Sequence, residues 1–271
     1  TIGIDVIMPD GRTLQVASCH HYRDQWAKAF DVTYESESGE QKFVHQTTYG
    51  MSERLLGAIV ATHGDDRGLI MPPSIAPIQV VVIPIMAKES SENIILEAEK
   101  LVSKLKESGI RVRIDVRDIR PGQKYYDWEI KGVPLRIELG PRDLANDSFM
   151  CARRTGGKES HPLSNLVTIV KDELNSIGEK MDERSKKHFS SCIKVLPTFT
   201  VENNSLVFDE SIESSQVYEM AFEGNDAEAQ IIEESTGLVF LGNSTSKYSK
   251  PKTCVMSGKP THNRVYLAKT Y

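Results

Sequence analysis

The stretch that decides the fold is Thr48-Tyr-Gly-Met-Ser-Glu-Arg-Leu-Leu-Gly-Ala-Ile-Val-Ala-Thr-His-Gly-Asp-Asp-Arg-Gly-Leu-Ile-Met-Pro-Pro73. It predicts a strand end, a tight turn at Gly50, and a helix from about Ser52 to Thr62, because Ser52 suits an N-cap and apolar residues follow at helical spacing. Arg54 falls in the first turn, where the helix macrodipole favours an anion. A guanidinium there can pair with a triphosphate and stack on a purine. The alternative is an amphipathic helix with an exposed arginine.

The residues before this stretch predict antiparallel strands. Ile4, Val6 and Met8 alternate before the turn signal Asp10-Gly11, and alternation resumes after it. The segment 43–49 predicts a third strand. Three antiparallel strands and one helix make part of a sheet and not a complete domain.

Three polar residues of the second strand are candidate ligand contacts. Ser18 and His20 share a face, because side chains alternate along a strand. Gln15 points from the other face unless a bulge intervenes. The alternative for His20 is an ordinary surface histidine. No Cys or His stands at ligand spacing from it, so a metal site is not expected here.

These segments resemble a known family. The stretch 48–73 resembles the third signature motif of class II aminoacyl-tRNA synthetases, in the form found in prolyl-tRNA synthetases of the archaeal and eukaryotic type. The segment Met8–His20 resembles the strand before that motif, and Gly122–Leu144 resembles the family's anticodon-binding domain. The resemblance is strong from residue 1 to about 160 and weaker to the C-terminus.

The resemblance implies the function of the protein. It implies ATP-dependent ligation of proline to tRNA(Pro) through a prolyl-adenylate, with Mg²⁺, by a cytoplasmic homodimer that dimerises through upstream segments. The order of the motifs implies that this chain is the C-terminal portion of the enzyme. The other hypothesis is a non-catalytic tRNA-binding or assembly module with a synthetase fold. The retained Arg54, Gln15 and His20 favour the enzyme, since a binding module has no use for an ATP arginine.

The resemblance also implies roles for individual residues. Arg54 is the implied catalytic residue. The implied ATP contacts are Gln15, Ser52 and Arg54, the implied amino-acid contacts are Ser18, His20, Tyr49 and Gly50, and the implied tRNA contacts are Lys124, Lys131, Glu138, Arg142, Arg153 and Arg154. Tyr125, Tyr126 and Trp128 are candidates for stacking on bases, with core packing as the alternative. Tyr22-Arg23-Asp24 departs from the usual Leu-Gly-Gln of the family, and Ser18 stands where threonine is common.

A different pattern begins at Gln79. Residues 80–85 form a continuous apolar run that predicts a buried strand, residues 92–108 an amphipathic helix, and residues 110–116 a second strand. Strands at 135–139 and 149–153, a short helix at 126–131 and a long helix from 163 to about 189 follow. No glycine-rich phosphate loop lies between these strands and helices, so we expect no nucleotide site here.

The sequence therefore predicts a multidomain α/β and α+β protein. Residues 1–74 are expected to form part of a class II antiparallel catalytic sheet. Residues 75–162 are expected to form an α/β anticodon-binding domain with a mixed sheet. Residues 163–271 are expected to form a small α+β C-terminal domain that includes the long connecting helix.

Composition limits the alternatives. The chain has 271 residues, and no apolar stretch approaches the roughly 20 residues that span a bilayer. Its four cysteines form no disulfide framework, which indicates a reducing compartment. The net charge is −5, yet residues 195–246 hold ten Asp or Glu and no Lys or Arg, whereas residues 111–158 hold eleven Lys or Arg against seven Asp or Glu. A local positive field at 111–158 would attract a polyanion.

The C-terminal segment is expected to lack a metal. Relatives in the resembling family often carry a four-cysteine zinc site in this domain. Here Met256 and Ser257 stand where a second thiol would follow Cys254, and Cys192 and His262 are too scattered to complete a site. The resemblance further implies that the terminal Tyr271 folds back towards the catalytic domain.

Overall fold

The computed structural model describes residues 1–86, 91–202 and 205–271. It divides into two compact units, one made of residues 1–58 and 188–271 and the other of residues 59–187. The domain boundaries at 74/75 and 162/163 stay predictions.

The N-terminal elements are five strands and two helices. They are β1 Ile2–Ile7, β2 Thr13–Arg23, α1 Gln25–Ala29, β3 Thr33–Glu35, β4 Gln41–Phe43, β5 Gln46–Met51 and α2 Arg54–His63. Strands β1, β2 and β5 form an antiparallel sheet in that order, which confirms the hairpin and the third strand. The third strand begins three residues later than predicted, because residues 41–43 pair with β3 instead.

The hairpin turn needs a glycine. Gly11 has φ +81°, and a Cβ there would lie 1.7 Å from the backbone oxygen of Ser215. Both the left-handed backbone and this close approach exclude a side chain. Helix α2 packs through the buried Ala58 against Val16 and Met8, so it covers one face of the sheet.

The middle elements form a mixed α/β sheet. They are β6 Val80–Pro84, α3 Ser91–Glu107, β7 Val112–Ile114, α4 Pro121–Ile130, β8 Leu135–Leu139, α5 Pro141–Ala145, β9 Ser148–Arg153, β10 Lys158–Pro162, a 3₁₀ turn Leu163–Asn165 and α6 Leu166–Cys192. The strand order is β10-β9-β8-β6-β7, with β6 parallel to β7 and β8, and β9 antiparallel to both of its neighbours. The predicted strand–helix–strand unit and mixed sheet are confirmed.

Strand β6 is buried on both faces, as its continuous apolar run predicts. Val80 and Val82 pack in the larger core with α3 and α6, whereas Val81 and Ile83 pack on the other face with Trp128 of α4. Helix α4 begins five residues earlier than predicted, because Pro121 occupies its first turn, where proline's fixed φ suits a helix. Strand β10 was not predicted, since its sequence is polar and its pairing depends on the Gly156-Gly157 turn.

The C-terminal elements form a four-stranded mixed sheet, two two-stranded sheets and one helix. They are β11 Ile193–Val195, β12 Phe199–Glu202, β13 Ser205–Phe208, β14 Val217–Ala221, α7 Asp226–Thr236, β15 Val239–Asn243, β16 Lys252–Thr253, β17 Pro260–Thr261 and β18 Arg264–Ala268. Strands β11, β14, β18 and β15 form the sheet in that order, and α7 packs on it through Ile232.

The last residues return to the first hairpin, as the resemblance implied. The Tyr271 amide donates to Thr13 O at 3.1 Å, and its phenol donates to Asp10 Oδ2 at 2.7 Å. The Arg12 guanidinium lies 5.6 Å from the centre of the Tyr271 ring. Across the described residues, no helix combines the length and apolarity needed to cross a membrane.

Candidate active site and nucleic-acid interface

A bulge in β2 gathers three predicted ligand contacts on one face of the first sheet. Ile4 pairs with Ala17 and Asp5 pairs with Gln15, so β2 carries Val16 as an extra residue. One extra residue reverses the alternation of side chains, and it therefore moves Gln15 to the face of Ser18 and His20. The Gln15 amide nitrogen lies 2.8 Å from the position a Cβ would take on Gly3, which pairs with Ser18. The sequence left open which face Gln15 occupies, and the structure shows that it shares the face of Ser18 and His20.

The imidazole of His20 is held at both nitrogens. Its Nε2 lies 2.9 Å from Ser18 Oγ and its Nδ1 lies 3.0 Å from Thr1 Oγ1. Each hydroxyl can donate or accept, so the pair suits either tautomer of the ring. The two hydroxyls and the imidazole between them form a row of hydrogen-bonded polar groups on this face. A bound ligand can replace one of these hydrogen bonds with its own.

Small residues flank Ser18 in both neighbouring strands. Gly3 of β1 and Gly50 of β5 are its cross-strand partners. A Cβ at Gly50 would meet no atom within 4 Å, so the space above this row is open. A ligand can therefore approach the backbone between His20 and Gln15. Gly3 was not predicted as part of the site, although the hairpin pairing would have identified it once the bulge was known.

Tyr49 lies apart from this group. It pairs with Cys19, whose side chain points to the face opposite Ser18 and His20. Its side chain is 75% exposed. The structure does not bring Tyr49 together with the other predicted amino-acid contacts, and we leave it out of the pocket.

The start of α2 is tied to the bulge. The backbone amide of Ser52 donates to Val16 O at 3.2 Å, and Arg54 is the first residue of the helix. Arg54 is exposed, and within the described ranges no acidic side chain forms an ion pair with it. No acidic residue stands in the first turn, so the guanidinium and the helix N-terminus together favour an anion.

The predicted tRNA contacts fall into two groups, and the first is buried in the unit of residues 59–187. Lys124 is 2% exposed and its ammonium donates to Asp115 O at 3.1 Å, while burial lowers the pKa of this lysine. Glu138 is 6% exposed and accepts from Lys158 Nζ at 2.7 Å and from Arg136 Nε at 3.1 Å. Burial raises the pKa of Glu138, but these two cations lower it by more, and the net shift is downward.

Two arginines of this group are held by carboxylates. Arg154 is 3% exposed and makes a bidentate pair with Asp65, and it also donates to Gly68 O at 3.0 Å and Glu129 O at 3.1 Å. The hydrogen bond from Arg154 lowers the pKa of Asp65. Arg153 is partly buried and binds both Glu173 and Glu159. Both arginines therefore have internal partners that local sequence does not show.

The group Glu159, His161 and Glu173 has its ligand atoms within 4.8 Å of one another. The Arg153 guanidinium already binds both carboxylates there. Its positive charge competes with any cation, so we assign no metal to this cluster. The expectation of no metal site stays a prediction.

The second group of predicted tRNA contacts is exposed. Lys131 and Arg142 lie on the surface, and the Lys131 ammonium lies 4.8 Å from the centre of the Trp128 ring. Of the three candidate stacking rings, Tyr126 is 59% exposed, whereas Trp128 is buried and donates to Asp115 Oδ2 at 2.7 Å. Tyr125 is half-buried beneath the Arg136 guanidinium, which lies 3.9 Å from its ring centre. Lys131, Arg142 and Tyr126 are therefore the members of the set that a nucleic acid can reach.

The Cys254 sulfur is buried and already has a hydrogen-bond partner within the protein. It is 1% exposed, packs in the core of the C-terminal sheet, and accepts a hydrogen bond from the Glu223 amide at 3.3 Å. Burial raises its pKa, but hydrogen bonds from Ser257, Glu223 and Met256 lower it by more. Cys192 instead lies 3.7 Å from the His188 ring nitrogens.

Comparisons with known proteins identify two family models along the chain. The family model described as "tRNA synthetase class II core domain (G, H, P, S and T)" matches residues 1–63, and that described as "Anticodon binding domain" matches residues 79–173. Proline--tRNA ligase of Thermococcus kodakarensis is 42% identical over 276 residues, which cover 100% of this chain and 56% of the relative. The corresponding protein of Methanocorpusculum labreanum is 43% identical over 263 residues, which cover 96% and 54%.

A solved structure is similar along almost the full length of this chain. Prolyl-tRNA synthetase of Giardia lamblia in complex with prolyl-adenylate superimposes with a TM-score of 0.86 at 30% identity, and the match covers 99% of this chain and 57% of that one. The chain spans about half the length of the curated relatives that it matches.

Proposed function

We propose, from its membership of the class II prolyl-tRNA synthetases, that this chain is a portion of an enzyme that ligates proline to tRNA(Pro) with ATP through a prolyl-adenylate. The observation that carries the proposal is the bulge at Val16, which places Gln15, Ser18 and His20 on one open face. The amide of Ser52 joins the same bulge to the start of α2 and so to Arg54.

The proposed roles follow from the position of each group. Arg54 pairs with the phosphates of ATP and stacks on its base, while Gln15 and Ser52 contact the nucleotide. Ser18, His20 and the open surface at Gly50 hold proline. Amino-acid activation is attack of the proline carboxylate on the α-phosphate with departure of pyrophosphate, and it depends on alignment and charge stabilisation more than on a proton donor. A cation at a helix N-terminus supplies that stabilisation.

Mg²⁺, a homodimer and a cytoplasmic location remain parts of the proposal that rest on the family resemblance. Mg²⁺ is usually bound through one or two carboxylates together with substrate phosphates. Among the strand residues that the structure describes on this face of the first sheet, Asp5 is the one carboxylate.

The unit of residues 59–187 is proposed to bind the anticodon loop. Unstacked loop bases are recognised by stacking and by hydrogen bonds to their edges. Tyr126 offers an exposed ring, and Lys131 and Arg142 offer exposed cations. Glu138, Lys124, Arg153 and Arg154 stay in the proposed interface only as groups that shape it, because their charges are engaged inside the protein.

The test is proline-dependent exchange of pyrophosphate into ATP by the full-length protein. We expect exchange with proline, loss of most of it in Gln15→Ala, and normal exchange in the matched control Gln41→Ala, an exposed glutamine on β4. We expect the 271-residue chain alone to exchange far more slowly, because lost alignment of substrates costs several orders of magnitude in rate. Salt-sensitive binding of tRNA(Pro) by a full-length protein with no exchange would instead identify the binding or assembly module.

A further inference from the structure

A ladder of aromatic rings begins at His20 and leads away from the candidate pocket. The Tyr22 ring lies parallel to the His20 imidazole, with centroids 5.3 Å apart and 7° between the planes. The Trp26 ring meets Tyr22 edge-on at 6.0 Å and 80°, and Phe30 stacks on Trp26 at 6.0 Å and 12°. These residues all belong to β2 and α1 or directly follow them.

The hydrogen bonds of His20 do not fix its ring plane. Ser18 and Thr1 hold the two nitrogens through hydroxyls, and a hydroxyl turns freely about its C–O bond. The imidazole can therefore tilt about the line between its nitrogens and keep both partners. A flat contact on one face of the ring removes that freedom, and Tyr22 supplies it.

The chain between Tyr22 and Trp26 turns back so that Trp26 supports the Tyr22 ring. Arg23 has a left-handed backbone with φ +53°, next to an irregularity in the β2–β5 pairing, and α1 begins two residues later. Asp24 and Lys28 form an ion pair at 2.9 Å along that helix. The sharp reversal at Arg23 brings Trp26 back against Tyr22. The Tyr22 ring is therefore in contact with Trp26 as well as with His20.

We propose that Tyr22 is a positioning residue that fixes the plane of His20 for the bound amino acid. The inference rests on the proposed function, which places His20 in the proline pocket. The tyrosine touches the histidine and not the reacting atoms, and it acts by pre-organising a ligand contact.

The expected effect is confined to the amino acid. A parallel aromatic pair adds about 0.5–1.5 kcal/mol beyond the area it buries, which corresponds to about 2- to 12-fold in an equilibrium constant. Tyr22→Leu should therefore raise the KM for proline by about 2- to 12-fold. The KM for ATP should not change, because Gln15 and Arg54, the proposed ATP contacts, are not members of the ladder. Tyr22→Phe keeps the ring, and it should behave as the unmodified enzyme.

The first experiment measures pyrophosphate exchange by the full-length enzyme and its Tyr22→Leu and Tyr22→Phe variants. A proline KM that rises in Tyr22→Leu alone, with an unchanged ATP KM, supports the proposal. An unchanged proline KM, an equal rise in both KM values, or a Tyr22→Phe variant as impaired as Tyr22→Leu overturns it. If the unmodified enzyme shows no proline-dependent exchange, the proposed function fails first, and it takes this inference with it.

The second experiment does not depend on activity. The His20 imidazole lies parallel to the Tyr22 ring with 5.3 Å between the ring centres, so the NMR signal of its Hε1 proton in the 271-residue chain should be displaced by the ring current. His20→Gln identifies that signal among the seven histidines. The displacement should persist in Tyr22→Phe and vanish in Tyr22→Leu. If Tyr22→Leu does not fold, Trp26→Leu loosens the far side of the same ring and should shift the signal part of the way. A His20 signal that is the same in every folded variant refutes the stack.

Discussion

Replacing Arg154 with alanine should destabilise the unit of residues 59–187, although the family resemblance implies that this arginine binds tRNA. Arg154 is 3% exposed, and its guanidinium donates to the Asp65 carboxylate and to the carbonyls of Gly68 and Glu129. Each polar group left unsatisfied on burial costs about 1–3 kcal/mol, and breaking a buried ion pair costs about 3–5 kcal/mol. Asp65 is 35% exposed on its side chain, so water replaces part of its loss. We therefore expect Arg154→Ala to lower the free energy of unfolding by about 3 kcal/mol, the low end of the range for a broken buried ion pair.

The measurement follows the unfolding of that unit directly. Trp26→Phe leaves Trp128, which is buried in residues 59–187, as the one tryptophan of the chain. Its emission during thermal unfolding should shift to lower temperature by about 6–12 °C in Arg154→Ala, since 1 kcal/mol corresponds to about 2–4 °C for a protein of this size. Asp65→Ala should cost less than Arg154→Ala. The double variant should cost less than the sum of the two, because the pair is removed only once.

Arg142→Ala is the matched control, since it removes the same side chain from an exposed position. Its stability should change by no more than about 0.5 kcal/mol. Its affinity for tRNA(Pro) should fall, and the slope of log K against log salt should decrease by about 1 if the side chain contacts a phosphate. An Arg154→Ala chain that melts normally but loses tRNA binding would show that the buried pairing is not its role, and the reasoning from burial would fail.

Three further predictions follow from the other charged groups. Arg54→Lys should slow adenylate formation by about 10², or about 2.7 kcal/mol of transition-state stabilisation, without lowering the melting temperature, as stopped-flow and calorimetry of the full-length enzyme would show. Normal activation kinetics with early melting would make Arg54 structural. Arg23→Gly should raise stability by up to about 1 kcal/mol in urea unfolding, because φ +53° is unfavourable for a side chain, and a loss of stability would show that the arginine makes contacts that matter more. Stability from Glu138 should be present at neutral pH and be lost as the pH falls through its lowered pKa. Melting temperatures between pH 6 and 3 should therefore fall less steeply in Glu138→Gln, and identical slopes would contradict the pairing with Lys158.

The parts of the fold that the sequence predicted correctly are those set by near neighbours. The Asp10-Gly11 turn is bounded by alternating residues, and the buried run of β6 is flanked by a helix with one apolar face. Such patterns need only a few residues in order, and the structure confirms them. Strand β10 was missed because its sequence, Lys-Glu-Ser-His-Pro, has no apolar alternation and the strand is defined only by its hydrogen bonds to β9.

The predicted functional residues also differ in whether near or distant parts of the chain determine their surroundings. The predicted tRNA contacts rest on residue type and motif position, which do not show a partner far along the chain. Arg154 finds Asp65 at a separation of 89 residues, and Lys158 finds Glu138 at 20. A charged group that is already paired inside the folded protein is not available to bind a nucleic acid, whereas an exposed one is. Only Lys131 and Arg142 of the six keep the exposure that the assignment assumes.

The geometry of Gln15 shows why a candidate pocket can be named from sequence and still be incomplete. Alternation alone places Gln15 and Ser18 on opposite faces, and nothing in the order Gln15-Val-Ala-Ser18 marks a bulge. The bulge exists because β1 pairs across Val16 and because the Ser52 amide, at the start of α2, donates to Val16 O. Both partners come from other elements, so the position of Gln15 is a tertiary property. The same hydrogen bond that stabilises the bulge also fixes where α2 begins. Arg54 and Gln15 are therefore placed by one contact, and we expect a change in that contact to move both.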